Sequence, residues 1–171
     1  MTNPYQTPES SFSGSETTQN PSEELASRGA RLLAAIIDGI IGAIIAVPFW
    51  MMTGAWDVMA KGQTLPLTYM IAGAVYGFIG FALIHYYFLN KNGQTIGKKL
   101  LSIRIIGIDD QLCGAIPLLL KRYLPITLVS QIPIVGSLLI LIDILFIFRK
   151  DRRCVHDLIA GTKVVKYQPQ T

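Results

Sequence analysis

The stretch RLLAAIIDGIIGAIIAVPFW, residues 31–50, decides the fold. After Arg31 it holds 19 residues, of which only Asp38 is charged. As a helix, a run of this length crosses about 30 Å of hydrocarbon. An ionised carboxylate in hydrocarbon costs several kcal/mol or more, so such residues normally face the interior of a helix bundle and have a specific role. The stretch therefore predicts a membrane-spanning helix with a polar group on its inner face.

Two later stretches are equally apolar, Leu67–Leu89 and Tyr123–Phe148. The first has 23 residues without Asp, Glu, Lys or Arg, and the second has 26 residues with one charge, Asp143. None of the three runs shows the polar face of a helix that packs on a soluble core. Only 15% of the 171 residues are charged, against about 25% in typical soluble domains. The composition therefore predicts an α-helical multi-pass membrane protein with one membrane domain.

Both ends of the chain lie outside this predicted membrane domain. Residues 1–24 are rich in Ser, Thr, Pro, Gln and Glu, which predicts a disordered polar tail. Residues 168–171 form a second, short tail. The N-terminal tail lacks the basic and apolar regions of a secretory signal peptide, so we expect the first helix to direct insertion.

The distribution of Lys and Arg predicts the topology, because loops rich in these residues stay in the cytoplasm. A single crossing by residues 123–148 would place basic segments on opposite sides of the membrane. A helical hairpin over 114–148, turning near Pro133 and Gly136, instead keeps 14 of the 15 Lys and Arg residues in the cytoplasm and leaves Lys61 outside. We therefore expect two helical hairpins in the cell (inner) membrane with both termini cytoplasmic. The third and fourth segments would be short and broken by proline, and three crossings are the alternative.

The predicted elements follow from these boundaries. Helices are expected over 25–52 and 67–89, a cytosolic loop and strand over 90–112, the hairpin over 114–148, and a cytosolic segment over 149–167. The stretches 101–108 and 161–167 are rich in β-branched residues and predict strands. Because an isolated strand leaves an unpaired edge, we expect these two to form a small cytosolic β-strand pair.

Four short motifs follow one another over residues 25–167. They are RLLAAIID at 31–38, GQTIGK at 93–98, LLKRY at 119–123 and HDLIAGTKVV at 156–165. In this order they resemble the RDD family of small prokaryotic multi-pass membrane proteins, which is named for one arginine and two aspartates. The resemblance implies that Arg31 and Asp38 are the family's arginine and first aspartate, and that Asp157 is the second. It also implies transport of poorly defined ligands, including cation/proton exchange.

Four polar residues of the apolar segments are expected to share one depth in the membrane: Asp38, His85, Arg122 and Asp143. At a rise of about 1.5 Å per helical residue, each lies about 7–12 Å from the cytoplasmic boundary. Arg31, two helical turns before Asp38, shares the same helix face. We therefore expect one charge layer in which Arg122 neutralises Asp38 or Asp143.

The sequence leaves two interpretations of this layer open. As a buried ion-pair layer, it would fix the register of the helices in a non-enzymatic membrane scaffold that binds a partner through its cytosolic parts. As an ion or proton site, two nearby carboxylates would share one proton, because both cannot ionise cheaply in a medium of low dielectric constant. A cation that displaced this proton would make the protein a small cation- or proton-coupled transporter.

The remaining motif residues are interpreted as architectural. Asp157 is expected to accept backbone N–H groups or to pair with Arg152, Arg153 or Arg104 at the membrane surface. The same role is assigned to six residues of the cytosolic motifs: Gly93, Thr95, Gly97, Lys98, Gly161 and Thr162. Cys113 and Cys154 have no CxxC or metal-ligand spacing, so they are interpreted as reduced thiols, and no metal site is predicted.

The lipid bilayer is the first partner that the composition predicts. The Gly73-xxx-Gly77 pair allows close helix approach, which predicts contacts in a homo-oligomer. A small cation or a proton would be the ligand on the transport hypothesis. No nucleic-acid-binding motif accompanies the basic residues. No phosphate cradle or nucleophile–base pair predicts an enzyme, and no cofactor is expected.

Overall fold

The computed structural model describes residues 24–132 and 134–167, and the fold is mostly helical as predicted. The two predicted tails lie outside the described residues, apart from Glu24. Two long helices, α1 (Arg28–Met52) and α3 (Leu67–Asn92), are joined through the short helix α2 (Ala55–Ala60).

Helices α1 and α3 are long and apolar enough to cross a membrane, judged by length and composition. Hardly any residue of their apolar stretches is buried, and many are exposed, as are Ile44 (68% exposed) and Leu83 (77% exposed). The core helices of soluble proteins bury such side chains, whereas these helices form broad apolar surfaces. Among the described residues two helices reach spanning length, and the crossing of the third and fourth segments stays a prediction.

Local signals explain where the long helices begin and end. The Ser27 hydroxyl accepts a hydrogen bond from the Ala30 amide at 3.1 Å, so α1 begins at Arg28 and not at the predicted residue 25. Helix α3 runs to Asn92, three residues beyond the predicted end, and Gly93 caps it with a left-handed φ of 65°. A Cβ at Gly93 would also collide with the carbonyl oxygen of Ile105, so the loop after α3 lies directly against a strand.

The small residues of α3 pack within the chain. A Cβ on Gly73 would lie 2.9 Å from the Trp50 ring, and one on Gly80 would meet Ile45, both on α1. A Cβ on Gly77 would have no neighbouring atom within 4 Å. Gly73 therefore packs against α1 of the same protomer, whereas the space beside Gly77 is open, and the homo-oligomer stays a prediction.

The predicted strand pair is confirmed. After helix α4 (Ile96–Leu100), strand β1 (Ile103–Gly107) pairs antiparallel with β2 (Thr162–Lys166). Residues 24–26 lie along the other edge of β2, where Ala26 N donates to the Val164 carbonyl at 3.0 Å. This pairing covers the free edge of β2, and it explains why residues 25 and 26 do not join α1.

Two short helical arms follow the loop. The first consists of α5 (Ala115–Leu118), a π-helical turn (Leu119–Tyr123) and α6 (Leu124–Val129). The second consists of α7 (Val135–Leu145) and a 3₁₀ turn (Phe146–Phe148). The arms are in contact and are joined at Ser130–Ile132, whereas Pro133 itself lies outside the described residues and the membrane hairpin stays a prediction.

The buried core lies at the end of α1 and α3 that faces the sheet. It joins Ala34 of α1, Leu89 of α3, Leu118 of α5 and the inner strand residues Ile105 and Val164. Helix α8 (Val155–Ala160) connects the second arm to β2 and packs against the π-helical turn. The polar residues of the family motifs are buried at this same end.

Candidate functional site

A cluster of arginine and aspartate lies where α1, the π-helical turn and α8 meet. Asp157 is completely buried, and its two carboxylate oxygens accept hydrogen bonds from Arg31 and Arg122, one each. The Thr162 hydroxyl donates to the same carboxylate at 3.2 Å and accepts from Arg122 at 2.8 Å. The backbone amide of Cys154 also donates to the Asp157 carboxylate, with 3.1 Å between N and Oδ2. Every partner is a donor, as an ionised carboxylate requires.

Secondary structure brings these side chains together. Arg31 is in the first turn of α1, and Arg122 projects inward from the π-helical turn. Asp157 is the third residue of α8, where its carboxylate caps the amide of Cys154. Arg153 holds the same region from outside, because its guanidinium donates to the backbone carbonyls of Thr162 at 3.0 Å and Asp157 at 3.3 Å.

The cluster is sealed and keeps its carboxylate ionised. Burial alone would raise the pKa of Asp157, but the positive charges of Arg122 and Arg31 and the nearby His156 hold that pKa well below its usual range. The side chains of Arg31 and Arg122 are only 6% and 2% exposed. A carboxylate that stays ionised at neutral pH and is shielded from water is suited to fixing the structure and not to exchanging protons.

A second carboxylate, Asp38, lies between α1, α3 and α4. Its Oδ1 accepts from the Gly97 amide at 2.8 Å, and its Oδ2 accepts from the Thr95 hydroxyl at 2.5 Å. Lys98 Nζ is 3.6 Å from Oδ2, and His85 Nε2 is 3.4 Å from Oδ1. Residues of the GQTIGK motif therefore contact the Asp38 carboxylate on one side, and His85 of α3 contacts it on the other.

The hydrogen bonds of His85 define the proton on its ring. His85 is completely buried, and its Nδ1 is 3.0 Å from the Phe81 carbonyl oxygen. A carbonyl oxygen can only accept, so Nδ1 carries a hydrogen. In the neutral ring Nε2 is then a bare acceptor that faces the Asp38 oxygen, and none of the described residues donates a hydrogen bond to it. One additional proton on either group would turn this repulsive contact into a hydrogen bond.

The third carboxylate, Asp143, also pairs with a histidine. It accepts from the backbone amide of His156 at 3.0 Å and from the ring Nδ1 at 2.7 Å. Burial first and the charge of Arg122 second lower the pKa of His156, which favours the neutral imidazole. The pair lies at the wall of a cavity between α6, α7 and α8.

These three centres unite motifs that are far apart in the chain. The RDD family model matches residues 25–161. The chain belongs to the RDD family. An uncharacterized protein of Haemophilus influenzae is 30% identical over 142 residues, which are 82% of this chain and 78% of that protein. No solved structure matches the chain. Family membership and the two exposed apolar helices together indicate a membrane protein.

The partners of the RDD residues differ from those expected from the sequence. Arg122 pairs with Asp157, so the prediction that it neutralises Asp38 or Asp143 is wrong. Asp157 accepts from a backbone amide, that of Cys154, as one of the two expected arrangements has it, but the arginines that donate to its carboxylate are Arg31 and Arg122 and not the expected Arg104, Arg152 or Arg153. The π-helical turn and α8 bring Arg122 and Asp157 together, and neither feature has a clear signal in the apolar pattern.

The expected single charge layer is replaced by three carboxylate centres, of which two are neighbours: His156 bonds Asp143 through Nδ1, and its Nε2 lies 3.9 Å from an Asp157 oxygen. Asp38 and His85 lie in contact, as members of one layer would, but Asp143 has His156 as its partner. Gly93, Thr95, Gly97, Lys98, Gly161 and Thr162 all lie at turns or contacts around these centres. The roles of His156 and Cys154 were not predicted from the sequence. The sequence did hold one indication of these roles, because it contains only two histidines. In the structure each histidine lies against an aspartate of an apolar helix, His85 against Asp38 and His156 against Asp143.

Cys154 adds a candidate metal ligand beside the pair of Asp143 and His156. Ligand atoms of Asp143, Cys154 and His156 lie within 4.8 Å of one another. Burial raises the pKa of the Cys154 thiol to about 11, which keeps it protonated at neutral pH, whereas metal binding requires a thiolate. The Nδ1 atom of His156 already donates to Asp143. The contacts of this RDD protein therefore favour a carboxylate–imidazole pair over a metal centre.

Proposed function

We propose that this RDD protein is a multi-pass protein of the cell (inner) membrane that binds and releases protons at Asp38 and His85 as part of small-cation or proton transport. The observation that carries the proposal is the buried Nε2 atom of His85, which has no donor and lies 3.4 Å from an Asp38 oxygen. The geometry accommodates one proton between the two groups, and its presence changes their contact from repulsive to attractive.

Lys98 supplies the competing positive charge. Its Nζ atom lies 3.6 Å from Asp38 Oδ2, and the two side chains are 11% and 12% exposed, so this centre is less closed than the Asp157 cluster. A small cation that approached Asp38 would compete with Lys98 and with the proton for the same oxygens. Such competition is the minimum chemistry of exchange, and it requires no metal centre or cofactor.

The proposed topology has α1 and α3 as full crossings and the two short arms as a hairpin that enters the membrane from the cytoplasmic side. Support comes from the apolar surface of α7, where Leu138 and Leu141 are more than half exposed. Support also comes from the basic residues: this arrangement leaves 14 of 15 Lys and Arg in the cytoplasm, where both termini would lie.

Proton flux in liposomes tests the transport proposal. The purified protein is reconstituted with a pH-sensitive dye inside, a pH gradient is imposed, and Na⁺, K⁺ or Li⁺ is added outside. We expect cation-dependent dye signals from the wild type and none from Asp38→Asn or His85→Gln, because neither variant retains the titratable pair. Asp57→Asn, which changes an acid in α2, serves as the matched control and should retain full flux.

Flux that is unchanged in both Asp38→Asn and His85→Gln, in protein that remains folded and monodisperse, would refute the proposal. Loss of flux in Asp57→Asn as well would mean that the assay reports loss of negative charge in general. Thermal unfolding of each variant in detergent separates loss of function from loss of fold.

A membrane scaffold is the second candidate function. The buried Asp157 cluster favours it, because this cluster joins α1, the π-helical turn and α8 through a carboxylate that has no exposed surface. On this hypothesis the cytosolic loop, strand pair and N-terminal tail bind a partner. Asp38→Asn then lowers the abundance of the protein, and neither the wild type nor any variant carries flux. Affinity capture from membranes compares the full chain with a variant that lacks residues 1–23. If the tail binds no partner, both versions capture the same proteins.

A further inference from the structure

A mostly apolar cavity of about 230 Å³ lies between α6, α7 and α8. Eight of its described lining residues are apolar and two are polar, and none is Lys or Arg. The apolar residues come from all three helices: Pro125, Ile126, Val129, Leu139, Ile140, Ile142, Val155 and Ile159. An apolar cavity of about 150 Å³ is large enough for benzene. The space therefore accommodates one ring with a short alkyl arm.

The polar part of the wall is the pair Asp143 and His156. Their side chains are 13% and 17% exposed, so the carboxylate can be reached from the cavity side. Each Asp143 oxygen accepts one hydrogen bond from His156, from the amide at 3.0 Å and from Nδ1 at 2.7 Å. A carboxylate oxygen offers about two acceptor directions, so one direction on each oxygen remains for a further donor.

The charge of this wall is negative when the imidazole is neutral. His156 then contributes a hydrogen bond but no positive charge, and the described lining offers no lysine or arginine. A carboxylate beside eight apolar residues is costly unless a cation compensates it. The wall is therefore complementary to a ligand that has one positive N–H group on an apolar body.

We propose that this cavity binds a small lipophilic amine, with the protonated amine donating to Asp143 and the apolar part packed among the side chains of α6 and α7. Such a ligand satisfies the open acceptor directions and compensates the charge, which a neutral apolar molecule cannot do. The site is separate from the Asp38–His85 pair, so the inference does not depend on proton transport at that pair.

Fluorine NMR of a defined probe tests the inference. The probe is 2-[4-(trifluoromethyl)phenyl]ethylamine, which is protonated at pH 7, and the matched neutral compound is the corresponding alcohol. Both are titrated into nanodiscs that contain the protein and into empty nanodiscs, which report partition into lipid. We expect saturable binding of the amine to the protein and binding of the alcohol that is at least about tenfold weaker, because a charge-assisted hydrogen bond is lost.

Two variants act on different parts of the cavity. Asp143→Asn removes the charge and should weaken amine binding by at least about tenfold while leaving the alcohol unaffected. Leu139→Trp fills the apolar part and should abolish binding of both compounds. Asp57→Asn lies outside the cavity and should bind like the wild type. Because Leu139→Trp keeps Asp143 and His156, it tests the site even if Asp143→Asn is unstable.

Three results would overturn the inference. Equal affinity for amine and alcohol would show that charge plays no part, and an unchanged amine affinity in Leu139→Trp would place binding elsewhere. Stoichiometric binding of micromolar Zn²⁺ together with no saturable binding of the amine would assign the polar wall to a metal held by Asp143, Cys154 and His156. None of these outcomes depends on proton flux, so the amine site and the transport proposal can fail independently.

Discussion

Three aspartates of this chain occupy three different environments, and their partners decide their roles. Asp157 has two arginine partners and no exposed surface, which keeps it ionised and fixed. Asp38 has a histidine, a lysine, a hydroxyl and an amide around it. Asp143 has one histidine and faces an apolar cavity. Ion pairs with arginine favour a structural role, whereas contact with histidine permits exchange of a proton or a ligand.

Removal of the Asp157 charge should cause a large loss of stability. Asp157→Asn leaves two buried guanidinium groups without a counter-charge, and breaking a buried pair in this way costs about 3–5 kcal/mol. The matched control is Asp151→Asn, because Asp151 pairs with Arg149 at 3.3 Å on the surface and exposed pairs contribute about 0–1 kcal/mol. Thermal or denaturant unfolding in detergent measures both variants, and equal effects would contradict a structural role for the cluster.

Acidification should destabilise the protein through His156. Its pKa is lowered in the folded state, so the unfolded chain takes up a proton first as the pH falls below about 6.5. Stability is therefore fully present above about pH 6.5 and declines below it. A second loss of stability follows below about pH 4, because the pKa of Asp157 is also lowered in the folded state.

The variant His156→Gln separates these two effects. Glutamine can donate to Asp143 but does not titrate, so the fall in unfolding temperature between about pH 7 and pH 5 should become smaller than in the wild type. The measurement is thermal unfolding in one detergent at several pH values. An identical slope in both proteins would assign the acid sensitivity to other groups.

At the scale of elements, the contact of α4 with α1 is set by one glycine. A Cβ on Gly97 would overlap the Ala34 carbonyl oxygen and lie 2.8 Å from an Asp38 oxygen. The absence of a side chain lets the Gly97 amide reach Asp38, so the GQTIGK motif carries both a close approach and a hydrogen bond.

Gly97→Ala should therefore separate α4 from α1. We expect a loss of about 1–3 kcal/mol, typical of overpacking, together with a reduced contribution of Asp38 to flux. Gly39→Ala on α1 is the matched control, since nothing lies within 4 Å of its added Cβ, and alanine favours the helix by about 0.5–1 kcal/mol. Stability and flux of the two variants are measured side by side. A Gly97→Ala protein as stable as the Gly39→Ala protein would contradict the close packing.

Local patterns predicted the elements better than their contacts. The apolar runs predicted the long helices and the two arms, and β-branched residues predicted both strands, because these signals lie within each segment. The pairing of residues 24–26 with β2 had no such signal. The same holds for Arg122 with Asp157, since these residues are 35 apart and meet only through a π-helical turn and α8. Of the four polar groups expected at one depth, His85 and Arg122 are buried and Asp38 and Asp143 are half-buried, and depth along a helix could not choose among their partners.

For the whole molecule, the proposed topology makes a direct prediction about sidedness. Lys61→Cys and Lys150→Cys should react with a membrane-impermeant maleimide from opposite sides of the membrane, Lys61→Cys from outside and Lys150→Cys only after lysis. Cys113 is replaced by alanine in both proteins. Cys154 can stay, because it is 6% exposed and its raised pKa, about 11, keeps it unreactive. Labelling of both positions from the same side would refute two hairpins with cytoplasmic termini.

The Asp157 cluster also has a consequence for the order of events on the ribosome. Arg31 precedes Asp157 by 126 residues, and Arg122 precedes it by 35. Translation proceeds at roughly 5–20 residues per second, so Arg31 waits several seconds for its counter-charge after it has been synthesised. During this interval the first helices lack the group that joins them to α8. A nascent chain that stalls before Asp157 therefore keeps Arg31 without the carboxylate that it pairs with in the finished molecule.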